Sequence, residues 1–315
     1  MRDDPEDSSE LDLEPERIPS YSDEDLDKMV QAIAVSDGRW RGADDEDPID
    51  LGATSWRPHL RRGDELCHVH VVPRLGEHYR RRIALASKAE KSVIVAGPLA
   101  AWYIPETLES LNELDVRAAL LDEREGIWHV TEYRSVAHLI AMSGLRLPPP
   151  VLKRMGELNL NRAQAATKSA ERGDRFEDVL ALLFSQVSYF KIFEVNYENE
   201  TEEIDLVVQN LRVRERNLPL TPIVCISGKN MSETVGVSAL STLEKKMSNR
   251  HGQCQLGFLC ASGKIATTVD TDILRLSRTD KTIVPLDGAA IATLLADPQH
   301  LDDNVEKHVA RAMLR

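Results

Sequence analysis

Apolar and polar positions recur along the chain with two different periods, and the change of period marks out the elements. Alternation with period two, or a short apolar run, predicts strands at "LCHVHVV", "KSVIVAG", "VRAALLD" and "IWHVTEY". Helical spacing predicts helices at "HYRRRIALASKAE", "PETLESLNEL" and "SVAHLIAMSG", the last stopped by Gly144. "RLPPP" (146–150) is a stiff break and a predicted domain boundary. Beyond it a helical stretch runs from Val151 to Gly173, and "RFEDVLALLFSQV" follows as a second helix. Strands "KIFEVNY" and "EEIDLVVQN", a polar loop "LRVRERNLP" and strand "PIVCISGKN" come next. Helix "VSALSTLEKKMSNRHG", strand "CQLGFLCAS", helix "DTDILRLS", strand "KTIVPLDG" and a final helix "AAIATLLAD" complete the series. No segment repeats another. The order predicts an α/β protein with a smaller α/β domain over 58–147 and a second domain over 151–315.

Charge changes the picture at one end only. Residues 1–50 hold 18 acidic side chains against 5 basic ones, which accounts for the whole net charge of −13. That segment is also rich in Pro and Ser and poor in apolar surface, so it is expected to be a disordered acidic tail. "DLDKMVQAIAV" is the one amphipathic helix within it. Residues 51–315 are balanced, so the low overall pI does not exclude a nucleic-acid partner. No apolar run reaches the ~18–20 residues of a membrane span, and no apolar h-region marks a signal peptide. Four cysteines without Cys-x-x-Cys spacing (Cys67, Cys225, Cys254, Cys260) read as reduced, buried thiols of a cytoplasmic protein. Cys67 and His68 alternate across a strand, which argues against a metal site with His70.

Polar groups in apolar surroundings carry the candidate chemistry. Glu177 sits on a helix whose buried stripe is Phe176, Leu180, Leu183 and Val187. Asp205 interrupts the apolar strand "EIDLVV". Ser227 and Lys229 lie two residues apart, so they share one strand face. Glu244 falls on the helical line Val237, Leu240, Glu244, Met247. Each acid has a plain structural reading, as a helix-end charge, a loop bond or an ion pair. A half-buried carboxylate is nonetheless expensive unless a cation or hydrogen bonds compensate. Several acids and a lysine converging on one sheet edge point to a divalent-metal site.

"GDRFEDVLALLF", "EEIDLVV", the strand ending in "KN", and "VGVSALSTLEKKM" together resemble the PD-(D/E)xK nucleases, and within them the Mrr-like restriction endonuclease group. "GFLCASG…TIVPLDGAAIATLL" is similar to the end of such domains, so the resemblance covers roughly residues 151–297. It implies a restriction-endonuclease-like α-β-β-β-α-β core with a mixed sheet. It also implies a Mg²⁺- or Mn²⁺-dependent endonuclease acting on DNA, in restriction or phage defence.

Carried over by position, Asp205 matches the metal-binding aspartate, Lys229 the catalytic lysine and Glu177 the helix glutamate that adds a ligand. Ser227 stands where a second acidic ligand is usual, and serine is a weak, uncharged Mg²⁺ ligand. Some members carry Ser-x-Lys with the acid displaced to the next helix, and Glu244 fits that place. The alternative is a catalytically degenerate binding or scaffold protein in which Glu244 only pairs with Lys229. A third reading has residues 58–147 bind a nucleotide and gate the second domain; otherwise they await an effector or partner. DNA contacts are expected from Arg172, Arg175, Lys245, Lys246 and Arg250, with Arg275, Arg278 and Lys281 as weaker candidates. No aromatic platform for single strands is visible, which favours duplex DNA. A homodimer is implied by the resemblance alone.

Overall fold

The computed structural model describes residues 27–28, 30–34, 40–43, 49–50, 55–56, 60–71, 83–84, 92–98, 104–124, 127–198, 203–211, 221–231, 234–276 and 280–314. They form a mixed α/β fold with three sheets. The N-terminal strands are β1 (Arg41–Gly42), β2 (Ile49–Asp50), β3 (Ser55–Trp56), β4 (Leu60–Arg62), β5 (Glu65–Val71), β6 (Ser92–Pro98), β7 (Arg117–Arg124) and β8 (Ile127–Tyr133). Six of them make one sheet in the order β1-β4-β5-β6-β7-β8, parallel at β5–β6–β7, while β2 and β3 pair separately.

Period-two alternation decides which side each N-terminal strand residue faces. Val93, Val95 and Ala118 face helices α1 (Pro105–Leu114) and α2 (Val136–Ser143) in the main core. Cys67, Val69, Ile94, Ala96 and Ala119 form a second core on the other face. Ile33 and Trp40 complete it, so the acidic segment is not a tail throughout. The amphipathic helix foreseen near 25–35 is helical at 27–28 and 30–34, and it buries Ile33 against the sheet. Residues 1–26 lie outside the described residues, as do most of "HYRRRIALASKAE" and the loop "LRVRERNLP".

Gly144 ends α2 with φ 71°, in the left-handed region that glycine enters freely. The prolines that follow turn a corner instead of opening a linker. Pro149 lies at the start of α3 (Pro149–Ala165), and Val151, Leu152 and Met155 join the same core as Val93 and Leu108. The next break also falls elsewhere than expected. Ala166 is extended at ψ 133°, and α4 (Ser169–Ser185) runs through Gly173. Gly173 faces open space, where a helical glycine costs only about 1 kcal/mol.

The C-terminal sheet has the order β13-β12-β11-β10-β9. Its strands are β9 (Phe190–Glu198), β10 (Glu203–Asn210), β11 (Ile223–Lys229), β12 (Leu256–Ala261) and β13 (Thr282–Leu286). The first three run antiparallel, and β11, β12 and β13 run parallel. Crossover helices α5 (Val237–Ser248) and α6 (Thr267–Leu276) serve the parallel strands, and Leu240, Leu243 and Met247 cover one face. The other face is covered by α4, α7 (Gly288–Ala296) and α8 (Leu301–Met313). Helix α8 was not foreseen, although Leu301, Val305, Val309 and Ala312 make its buried stripe. Helix α4 packs on α2, α3 and the C-terminal sheet, so one hydrophobic core spans both sheets. No helix among the described residues is long and apolar enough to cross a membrane.

Candidate metal site

Two strands and one helix bring three carboxylates together. Asp205 lies on β10, and the pairs Ile204–Tyr197 and Leu206–Val195 on either side place it opposite Asn196 of β9. It is 8 % exposed, and its Oδ2 accepts the Gly228 N–H of β11 at 2.7 Å. Glu203 precedes it by two residues at the start of the same strand. Glu177 reaches the pair from α4. One carboxylate oxygen from each of Glu177, Glu203 and Asp205 lies within 4.8 Å of the others. Oxygens around a Mg²⁺ are about 4.2 Å apart when opposite and about 3 Å apart when adjacent, so the three carboxylates are near enough to close on one ion by side-chain movement. The donor set is hard oxygen throughout, which suits Mg²⁺ or Mn²⁺.

Glu203 was absent from the sequence reading, although its signal is simple. In "EEIDLVV" it stands two residues before Asp205, and period two allows both onto one face.

The electrostatics centre on Arg134, in the turn between β8 and α2. Its Nη1 lies 2.7 Å from Glu177 Oε2 and 3.5 Å from Asp174 Oδ1. Its Nε donates to Asp178 Oδ1 at 2.9 Å. Burial pushes the Glu177 carboxyl upward; Arg134 and an Asn196 side-chain bond oppose that, while Asp205 adds to it. Asp178 is likewise raised by burial and held down in part by Arg134 and Ser135. Burial works against the Arg134 charge, yet Asp178 and Glu177 keep it more firmly protonated than an ordinary guanidinium.

The remaining predicted residues separate from this cluster. Gly228 is pressed against the α4 side, where an added Cβ would meet Leu180 and Phe176. Ser227 therefore turns toward the α5 side, buried in register with Leu259. It is no substitute ligand. Lys229 ends β11 half-buried, one residue past the Gly228 N–H that holds Asp205. Asn230 follows and ties that end to α3 and α4 through the Ala163 and Arg172 carbonyls.

Glu244 is not part of the cluster. The buried stripe of α5 is Leu240, Leu243 and Met247, which leaves Glu244 on its flank, partly exposed and 4.0 Å from Lys281 Nζ. Neither the displaced-ligand reading nor the alternative pairing with Lys229 finds a supporting contact of Glu244 among the described residues.

Among the basic candidates, Arg175 is engaged by Asp115 and lies 3.8 Å from Glu171. Lys245 and Lys246 lie in the last turn of α5. The Arg172 and Arg250 side chains are half-buried, and the Arg250 guanidinium sits 5.3 Å over the Tyr197 ring. With Phe193, which is 67 % exposed, Tyr197 and Arg250 line an apolar pocket of about 370 Å³. An aromatic surface thus exists where none was expected. The side chains of Arg275 and Arg278 lie outside the described residues, as do those of His68 and His70. All four cysteines are free and buried. The chain matches no family model, no curated protein and no solved structure.

Proposed function

We propose that this protein is a Mg²⁺- or Mn²⁺-dependent nuclease that hydrolyses phosphodiester bonds of DNA, with its site at the junction of β10, β11 and α4. The convergence of Glu177, Glu203 and Asp205 carries the reading. A buried Asp205 and a partly buried Glu177, joined by the exposed Glu203 and with a lysine one residue from the Asp205 anchor, are costly as pure architecture and useful as a cation site. The strand and helix order also supports a restriction-endonuclease-like core over 151–297, as the resemblance implies.

In this reading Asp205, Glu177 and Glu203 hold the metal, and neither Ser227 nor Glu244 is needed. The bound ion would supply an activated water and charge neutralisation at the scissile phosphate. Gly228 fixes the Asp205 carboxylate so that it is already oriented. Lys229 shares the Ser227 side of β11 but ends the strand, so its flexible four-carbon stem would have to reach round that end to orient the attacking water and offset phosphate charge.

Plasmid, single-stranded DNA and RNA incubated with Mg²⁺ or Mn²⁺ test the proposal. Wild type is expected to cleave DNA, with losses of at least ~100-fold in Lys229→Ala and Asp205→Asn. Absence of metal-dependent cleavage of every substrate would return the protein to the class of non-cleaving binding or scaffold proteins.

A further inference from the structure

We propose that Arg134 is a positioning residue of the acidic site, so that the metal centre is assembled from both sheets. The proposal rests on the metal reading given above. Arg134 follows β8 of the N-terminal sheet, whereas every acid it contacts belongs to α4. One guanidinium takes Glu177 through Nη1 and Asp178 through Nε. Adjacent helical residues point about 100° apart, so this double contact sets the Glu177 side chain relative to the helix. With Oε2 of Glu177 held at 2.7 Å, the carboxylate is directed at Asp205 and Glu203 instead of sampling rotamers.

Charge gives a second, independent reason. Arg134 also meets Asp174 and Asp178, so its one positive charge offsets only part of the surrounding acid and leaves a net negative cluster for a cation. Arg134 thus keeps the acids together before the ion arrives and leaves room for its charge. The arrangement is not optimised for the arginine itself. Its Nη2 is enclosed and finds no hydrogen-bond partner among the described residues, a cost that a purely structural clasp would be expected to avoid.

A partner that orients a metal-binding side chain is commonly worth 10- to 100-fold in metal affinity. Mn²⁺ binding to the full chain, measured by calorimetry, tests the proposal. Arg134→Lys keeps a charge but loses the two-pronged geometry, and it is expected to weaken Mn²⁺ binding by at least ~10-fold while the near-ultraviolet circular dichroism stays native. Arg134→Gln strands the Asp178 charge and can unfold the protein. Arg134→Gln combined with Asp178→Asn removes that charge too and is expected to bind more weakly than Arg134→Lys. Folded variants that bind Mn²⁺ as well as wild type, or more tightly, would overturn the positioning role while leaving the metal site intact. No binding by wild type, with Asp205→Asn as the matched control, overturns both.

Discussion

Asp205 Oδ2 takes the Gly228 N–H at 2.7 Å, so a nearly buried carboxylate on β10 is anchored by the backbone of β11. The contact needs an acceptor and not a charge. Asp205→Asn keeps an acceptor for Gly228, whereas Asp205→Ala leaves an N–H without one. Urea unfolding is expected to show Asp205→Ala less stable than Asp205→Asn by about 1–3 kcal/mol, the usual cost of stranding a buried donor. Equal stabilities would mean that water replaces the carboxylate.

Gly228 is also a point where α4 packs tightly on the sheet. A Cβ there would lie 2.8 Å from Leu180 Cδ1 and 3.3 Å from Phe176 Cδ1. Gly228→Ala is expected to cost about 1–3 kcal/mol in overpacking. The cost should fall in the background of Leu180→Ala, which opens the space, and a double-mutant cycle measures that coupling. Additive effects would show that the helix simply shifts away.

Glu203 and Glu244 distinguish two versions of the ligand set. Glu203 shares the cluster with Asp205 and Glu177, whereas Glu244 faces Lys281 on the flank of α5. Glu203→Gln is expected to weaken Mn²⁺ binding in calorimetry by at least ~10-fold, and Glu244→Gln to leave it unchanged. The reverse result would restore the ligand on α5. The stability effect of Glu244→Gln should stay below about 1 kcal/mol, because a 4.0 Å surface pair contributes little.

The local periods identified the strands from β5 to β13 and the helices around the cluster, but not the short β1 to β4, because burial writes itself as alternation or as a helical stripe only over longer elements. Asp205 and Glu177 stood out for the same reason, as charges beside apolar runs. Glu244 stands one position away from the buried line of its helix. Leu243, not Glu244, belongs with Leu240 and Met247, and a stripe half a turn wide accepts either. Arg134 could not be found by any local period. Its partners lie 40 to 44 residues away, and only the packing of α2 against α4 brings them together. The packing across the proline-rich corner is likewise invisible to a local period. Stiffness at 146–150 was legible, but the continuity of the core across it depends on Val93, Leu108, Val151 and Leu152 sharing one cluster.

His138 beside this contact gives a pH test of the fold. Burial first, and then Arg134, lowers its pKa from 6.5 to about 4. The unfolded chain takes up the imidazole proton near pH 6.5, whereas the folded chain resists it until about pH 4. Between those values the unfolded state binds more protons, so acidification favours unfolding. The stabilising contribution is complete above pH 6.5 and is lost as pH falls toward 4, by up to ~3 kcal/mol. Glu177 and Asp178 act in the opposite sense, since their raised values let the folded state take up protons early. A single wild-type profile would mix these effects, so the measurement is a difference. His138→Phe keeps an aromatic ring against Tyr133, which His138 meets edge-on at 5.5 Å, and removes the titrating group. Urea unfolding from pH 7 to pH 4 is expected to show the variant gaining on wild type as pH falls. Parallel curves would show that His138 titrates in the folded protein as it does in the unfolded chain.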